Sequence, residues 1–484
     1  MKILFIVSEI EGIVKTGGLA DFARALPWAL KKMHHDVRVV MPKYRAVQYP
    51  GLEGSWPLSF LLNHATRYGC LVFHARHDGI PLRLIEHHDF FSRDGLYDNG
   101  YTAYPDNALR FAFLCKAALE QCLQEGWAPD IVHCNDWQTA LAAYYLKEHY
   151  PHDPVLKHTR SVLTVHNGAF QGKTEAKWLD GLGISWDRFA GGQVEHNGLV
   201  NLLKSGILSA DKINAVSPGY AKELLAKASS HELWYCYTAR HHDFTGILNG
   251  CDYTMWNPEK DPYLPHRFSA DNLKGKHLCK KNLQQRMGLP QRKEVPIFGM
   301  ISRLTDQKGF DYLIPAMEQV LNQGSAVQFV LLGSGNPVYA SRLHHLQNRH
   351  REKMSFVNGY DVALSHLIEA GSDFFMMPSL FEPCGLNQLY SLAYGTLPVI
   401  RSTGGLKDTV VALSHDFSNA DQATGIDFNA PDTYHCSEAI HRAMALFNNH
   451  KAVYDRLQQT AMGQLFTWDM CAAEYEALYH EAFE

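Results

Sequence analysis

The chain has 484 residues, too many for one compact core, so its length predicts two or three domains. Hydrophobic residues make up 46% and charged residues 20%, an ordinary globular balance that excludes wholesale disorder. A formal net charge of -5 excludes a nucleic acid or an anionic membrane held by bulk electrostatics, but leaves room for local clusters that bind a small phosphorylated ligand.

The first apolar run, Ile3 to Val7, ends at Ser8 and Glu9, too short for a signal-peptide core or a membrane span. No later stretch reaches 18 apolar residues, so a cytoplasmic protein with no membrane partner is expected. The ten cysteines are scattered, with no C-x-x-C and no zinc-ligand spacing. They predict buried thiols in a reducing compartment. The histidine doublets His34-His35, His87-His88, His241-His242 and His344-His345 read as surface residues.

Short apolar runs alternate with amphipathic segments along the chain. Residues 3–7, 37–41, 131–134, 161–165 and 212–216 read as strands in the first half, and 297–301, 328–332, 354–357, 374–377 and 397–400 in the second. Helical spacing marks 107–122, 139–148, 311–321, 362–370 and 386–394. Continuous apolar strands separated by helices predict an α/β protein with doubly wound parallel sheets covered on both faces. The polar stretch Asn257 to His266 reads as an interdomain connection, which places the main boundary near 245–265. The expected domains are 1–250, 251–465 and a C-terminal helix within 466–484. KTGGLAD (Lys15 to Asp21) and STGGLKD (Ser402 to Asp408) form a weak internal echo.

The chemistry is expected in loops at strand carboxyl ends. Lys15-Thr16-Gly17-Gly18 lies between a strand and a helix, where exposed N–H groups and the helix dipole attract anions and Lys15 adds a full charge. An ordinary tight turn remains the alternative, and no Walker A sequence occurs. Arg303 and Lys308, in SRLTDQKG, suit a diphosphate leaving group or form a solvated surface pair. Leu332-Gly333-Ser334-Gly335 resembles the start of a dinucleotide fingerprint, but Val338 stands where the third glycine belongs, so NAD binding is rejected. Glu382, in the turn Pro378 to Leu386, is either a functional carboxylate or a helix cap. Asp136 in HCNDW and His166 in TVHNGAF also follow strands. There is no H-E-x-x-H and no Asp-x-Asp, so protein cations rather than a metal are expected to carry the charge of any departing diphosphate.

KTGGLAD, HCNDWQT, TVHNGAFQG, LNGCD-x-x-x-WNP, SRLTDQKG and FEPCGLNQLYSLAYGTLPVIRSTGGLKDT occur in the order seen in bacterial glycogen synthases and plant starch synthases. The chain resembles that family from its first residues to about Asp408. The resemblance implies the GT-B glycosyltransferase architecture, two Rossmann-like domains facing a deep cleft, with the C-terminal helix crossing back to the first. It implies retaining transfer of glucose from ADP-glucose to the non-reducing end of an α-1,4-glucan (glycogen), with no cofactor and no metal. No oligomeric state follows from it. With no transit segment before the first strand, the bacterial enzymes are the expected nearer kin.

By the same resemblance, Lys15, Gly17 and Gly18 meet the nucleotide sugar, and Arg303 and Lys308 bind its distal phosphate. Tyr360 stacks on the base, while Glu382 and the backbone of Cys384, Gly385 and Leu386 hold glucose and phosphates. Asp136, His166 and Asn249 lie near the sugar and the reacting bond, and Tyr97 matches a sugar-site tyrosine. Glu382, His166, Asp136, Lys15, Arg303 and Lys308 form the implied catalytic set. Many relatives of this fold carry a ribose-contacting Glu eight positions after the first. Here that position is Tyr390, as in glycogen and starch synthases. A covalent carboxylate intermediate and attack from the leaving-group face both remain open. The EPCGLNQLY string disfavours a sucrose-type or small-acceptor transferase, and the phosphate-binding cations disfavour a simple sugar-binding protein.

Overall fold

The computed structural model describes residues 1–45, 47, 49 and 51–484. Its apolar runs assemble into sheets in two units, Met1–Asn249 with Trp468–Glu484, and Gly250–Thr467. The first unit contains β1 (Lys2–Ile6), β2 (Asp36–Pro42), β3 (Gly54–Leu61), β4 (Arg67–His77), β5 (Ile80–Glu86), β6 (Ile131–Asn135), β7 (Arg160–Val165), β8 (Lys173–Glu175), β9 (Glu195–His196), β10 (Leu199–Asn201), β11 (Lys212–Ala215) and β12 (Phe244–Gly246). The second contains β13 (Ile297–Ile301), β14 (Gln328–Gly333), β15 (Met354–Asn358), β16 (Phe374–Met377), β17 (Leu397–Arg401) and β18 (Ile426–Phe428).

The large sheet of the first unit runs β12-β11-β7-β6-β1-β2-β5-β4-β3. Its strands are parallel from β12 to β5, and β4 and β3 are added antiparallel. Ile3, Leu4, Phe5 and Ile6 are all fully buried, because helices cover both faces. The β3–β4 ribbon was not legible as strands. Its residues alternate between exposed and buried, and it carries Trp56-Pro57, so it lacks the continuous apolar run that marks a central strand. A separate small sheet, β8-β10-β9, was missed for its brevity.

The second unit's sheet runs β15-β14-β13-β16-β17-β18, all parallel, which is the doubly wound order 3-2-1-4-5-6. In both units strand order reverses beside the first strand, between β1 and β6 and between β13 and β16. Ligands of open α/β sheets bind at the carboxyl ends of strands at such a reversal. The Thr-Gly-Gly echo does not mark equivalent positions. KTGGLAD follows β1, at the reversal, whereas STGGLKD follows β17, beyond it. The likeness is shared turn chemistry.

The helix Trp468–Glu481 packs its apolar stripe, Trp468, Ala472, Tyr475, Leu478 and Tyr479, into the core of the first unit. Two of its hydroxyls satisfy buried polar groups on the sheet. Tyr475 Oη accepts from Asn214 Nδ2 at 2.7 Å, and Tyr479 Oη lies 2.7 Å from His133 Nδ1. His133 Nε2 is 2.7 Å from Thr164 Oγ1, and burial pushes its pKa well down, so the ring is neutral. His35, expected at the surface, is buried between the chain's amino terminus and Glu476.

The stretch Asn257 to His266, expected as a connection, is folded into the second unit. Asp261 is buried there, accepting from the Tyr263 N–H at 2.8 Å, from His366 Nδ1 at 2.7 Å and from the Tyr394 hydroxyl. Burial alone would raise its pKa, but the hydrogen bonds from His366, Tyr394 and Tyr263 outweigh it and hold the carboxyl below its ordinary value. Beside it Trp256 is sandwiched between His366 and Tyr390, each ring 3.9 Å away and nearly parallel. A depressed carboxyl pKa stabilises the fold above the unfolded value and loses that contribution as pH falls through the folded one. Asp261→Asn, which turns an amide donor toward existing donors, should therefore cost about 1.5–3 kcal/mol at pH 7. Its gap from the parent in denaturant midpoint should close below about pH 4. An equal gap at both pH values would exclude an ionised Asp261.

Candidate active site

In the first unit the site starts where β1 ends. Glu9, 3% exposed, accepts from the Thr16 N–H and from Thr16 Oγ1 at 2.9 Å, and from the Tyr97 hydroxyl at 3.3 Å. Tyr97 Oη is also 2.7 Å from Ser8 Oγ. Burial raises the Glu9 pKa more than these bonds lower it. The turn Lys15–Gly18 and Tyr97 are thus tied to one buried carboxylate. Gly17 caps the helix Gly18–Lys32 with no side-chain hydrogen bond, and a methyl group added to it would meet nothing within 4 Å. The space beside Gly17 is therefore open, which leaves room for a ligand to approach the backbone at this helix end.

Lys15 is not the bare charge its sequence suggests. Its Nζ lies 2.6 Å from Asp21 and 3.1 Å from Glu11. Burial, which lowers the lysine pKa, is outweighed by these two carboxylates, which raise it. Burial, followed by the neighbouring charge of Glu11, lifts Asp21 to about 6 against the pull of Lys15.

Asp136 follows β6 in a left-handed conformation, φ 56°, unusual for a residue with a side chain. Its Oδ1 accepts the His166 N–H at 2.6 Å and the Asn167 N–H at 3.3 Å, and burial pushes its pKa up to about 7. His166 Nε2 lies 2.9 Å from Asn135 Oδ1, whose own amide donates to the Ile6 carbonyl. The carbonyl acceptor assigns the ring proton to Nε2, and burial lowers His166 to about 3, so it is a neutral imidazole. Asn249, 6% exposed, holds a buried Oδ1 without a hydrogen-bond partner among the described residues. Such an orphan acceptor fits a ligand hydroxyl.

In the second unit two loops at the reversal are stitched together. The Leu380 N–H donates to the Gln307 carbonyl at 2.8 Å, and Gln307 Nε2 donates to the Phe381 carbonyl at 3.0 Å. Gly309, φ 76°, lets the first loop close, since a Cβ there would sit 1.9 Å from the Pro378 carbonyl oxygen. Lys308 Nζ thereby reaches Glu382 Oε2 at 2.6 Å, and Ser379 Oγ donates to the same oxygen at 2.7 Å. Glu382 is 7% exposed and is not a helix cap, because the next helix, Asn387–Ala393, is capped by Leu386 without a side-chain bond. Cys384 is buried, and Gly385 takes φ 77°. Arg303 is exposed, and Tyr360 is 84% exposed.

The Gly333 and Gly335 pattern has a packing explanation. Their missing side chains admit the carbonyls of Ser302 and Leu304 from the loop that carries Arg303. Tyr390, at the position where relatives of the fold carry a second Glu, is stacked on Trp256.

The structure ties the Lys15–Gly18 turn to Tyr97 through Thr16 and Glu9, and brings Asp136 and His166 into a second group and Lys308 and Glu382 into a third. Sequence reasoning missed Glu9, Thr16, Asn135, Ser379 and Gln307. Glu9 had a usable signal, since it is the second polar residue beyond an apolar strand that leads into the glycine turn. Among the described residues no group of three or more His, Cys, Asp or Glu side chains is placed to hold a metal ion. None of their helices is long and apolar enough to cross a membrane.

Residues 2–236 match the family model of the starch synthase catalytic domain, and residues 282–448 match that of glycosyl transferases group 1. The chain is 45% identical to the glycogen synthase of Aeromonas hydrophila subsp. hydrophila, over 100% of this chain and 98% of that one. It is 43% identical to that of Aliivibrio fischeri strain ES114, with the same coverage. Among solved structures it is similar to the catalytic domain of starch synthase IV from Arabidopsis thaliana bound to ADP and acarbose. That match has a TM-score of 0.89 and 32% identity and covers 99% of each chain. The sucrose-phosphate synthase of Thermosynechococcus elongatus, at TM-score 0.60 and 16% identity over 100% and 99%, shares the fold.

Gly309→Ala tests the loop geometry. The added methyl cannot coexist with the Pro378 carbonyl, and alanine is strained at this φ. The loop should lift, separating Lys308 from Glu382, with a loss of about 1–3 kcal/mol and turnover below one tenth of the parent's. Unchanged turnover and melting temperature would show that the close approach is dispensable.

Proposed function

The chain belongs to the glycogen synthase and starch synthase family of glycosyltransferases, and on that premise we propose that it elongates an α-1,4-glucan, glycogen, at the non-reducing end with glucose from ADP-glucose. The reaction retains the α configuration and releases ADP. The observation that carries this reading in the geometry is the Lys308–Glu382–Ser379 knot at the reversal of the second sheet, with Arg303 exposed on the same loop. The 41–45% identity to glycogen synthases over nearly full length supports it. So do the ADP and acarbose in the structure of the Arabidopsis relative. We assign the nucleotide-sugar side to Gly250–Thr467, the acceptor side to Met1–Asn249, and the cytoplasm as the place of action.

In this reading Arg303 and Lys308 neutralise the charge that develops on the departing diphosphate. Arg offers a planar fork and Lys a compact charge, so the two can grip different oxygens. Glu382 holds the glucosyl group, with Lys308 and Ser379 fixing its carboxylate. Tyr360, with its ring in solvent, offers a stacking face to the base, and the Cys384–Leu386 backbone follows the phosphates. The helix N-terminus at Gly17-Gly18 adds positive potential, and Lys15, held by Asp21 and Glu11, offers its remaining donor to the ligand. Asn249 supplies an acceptor for a sugar hydroxyl, and Tyr97 lines the same sugar site. Neutral His166 and the tethered Asp136 border the reacting bond, where a neutral ring does not repel an oxocarbenium-like centre.

ADP release from ADP-glucose, measured with and without glycogen, tests the assignment. Release should depend on glycogen. Equal release with a small acceptor would indicate a sucrose-type enzyme, and none with any acceptor would indicate a binding protein.

Substitutions separate chemistry from stability. Arg303→Ala and Glu382→Gln should each lower turnover roughly 10²–10³-fold. The exposed Arg303 should change the melting temperature little, whereas Lys308→Ala should also cost stability, because it removes the cation facing buried Glu382. Wild-type turnover in Arg303→Ala and Glu382→Gln would rule out these roles.

A further inference from the structure

The roles proposed so far make no use of Glu9, a buried carboxylate of the first unit that follows β1. Its two oxygens meet only donors. Thr16 offers its N–H to one and its hydroxyl to the other, and Tyr97 offers its hydroxyl to the second. Thr16 lies between Lys15 and Gly17, so these bonds fix the backbone that presents the lysine and the open helix end. Tyr97 comes from a loop about ninety residues away. That loop is held from behind by Arg110, whose guanidinium donates to the carbonyls of Phe90 at 2.6 Å and Leu96 at 2.9 Å. No main-chain hydrogen bond joins residues 15–17 to residue 97 among the described residues. The segment Ser8-Glu9 joins them, with Ser8 Oγ 2.7 Å from Tyr97 Oη and the Glu9 carboxylate bonded to both Thr16 and Tyr97.

We propose that Glu9, in its anionic form, is a positioning residue that sets the glycine turn and Tyr97 in register for the donor sugar, so that protonating it loosens both at once. The proposal rests on the reading of this turn as part of the donor site. Protonation would convert an acceptor-only group into one with a donor facing Thr16 or Tyr97, and at least one bond would be lost. The titratable groups facing Glu9 are Tyr97, Tyr44 from beyond β2 and Asp136 from beyond β6. None carries a positive charge, and burial holds the Glu9 pKa above the ordinary glutamate value. The negative charge of Glu9 in turn raises Asp136.

The test is the pH profile of kcat/KM for ADP-glucose in Glu9→Gln, with the melting temperature alongside. Glu9→Gln should raise the donor KM about tenfold or more, the order expected for losing a hydrogen bond to a charged group. Because glutamine has no carboxyl to protonate, the fall in kcat/KM that protonation of Glu9 causes in the parent at low pH should be absent from the variant. A profile parallel to the parent's with KM unchanged overturns the proposal, whatever the melting temperature. If Glu9→Gln does not fold, Thr16→Val removes only the hydroxyl bond. It should raise KM severalfold with kcat nearly kept, and an unchanged KM again overturns the proposal. The parent assayed in parallel separates the two claims. A parent inactive on ADP-glucose refutes the donor reading, and an active parent with an unaltered variant refutes only the role of Glu9.

Discussion

The arrangement depends on one constraint, the need to bury both faces of a parallel sheet. Parallel strands carry slanted hydrogen bonds and can be joined only by crossovers, which put helices on both sides. Every strand of such a set then points its carboxyl end the same way, so each strand-to-helix loop emerges at one edge. In the first unit this places the Lys15–Gly18 turn and Asp136 after neighbouring strands, β1 and β6. In the second it places Arg303, Lys308 and Glu382 after β13 and β16. Residues more than seventy positions apart become partners, as the 2.6 Å contact between Lys308 and Glu382 shows.

This dependence explains what could be read in the sequence. The central strands are apolar along their whole length because nothing on either face is wet, and runs such as 131–134 and 374–377 fall within strands of the fold. Glycine turns and charged residues just beyond such runs were legible for the same reason. The β3–β4 ribbon was not, since one of its faces is solvated and its pattern competes with that of a loop. Asn257 to His266 was misread because its polarity suggested solvent. The carboxylate of Asp261 is polar yet buried, satisfied by His366 and Tyr394 from residues over a hundred positions later. No local pattern carries that information.

Pairing also separates what a motif shows from what it hides. Lys15 reads as a free cation, but in three dimensions it lies against Asp21 and Glu11. Asp136 and His166 are visible as single residues after strands, whereas their link runs through a backbone N–H and through Asn135. The left-handed backbone of Asp136 aims its carboxylate at that N–H, and such strain persists only where surrounding bonds over-determine it. The sequence could nominate these residues, but it could not assign their protonation. Burial does that, pushing Asp136 up and His166 down.

The charge pattern bears on how a phosphorylated ligand could be held without a large net positive field. Two of the three candidate cations, Lys15 and Lys308, contact carboxylates of their own unit. Lys308 with Glu382 is locally near neutral, and Lys15 between Glu11 and Asp21 carries no net positive charge, so neither adds much positive potential at a distance, in keeping with the overall charge of -5. At contact the balance differs. An ammonium has three donors, and a carboxylate at 2.6 Å occupies one of them, so Lys308 can bind a phosphate oxygen while still anchoring Glu382. The carboxylate then acts as a tether that holds the cation in place before the anion arrives and reduces the entropy lost on binding. Arg303 has no such tether among the described residues, and its exposure suits it to first contact with an anion. Within the second unit a pre-paired lysine would then supply geometry and an exposed arginine attraction.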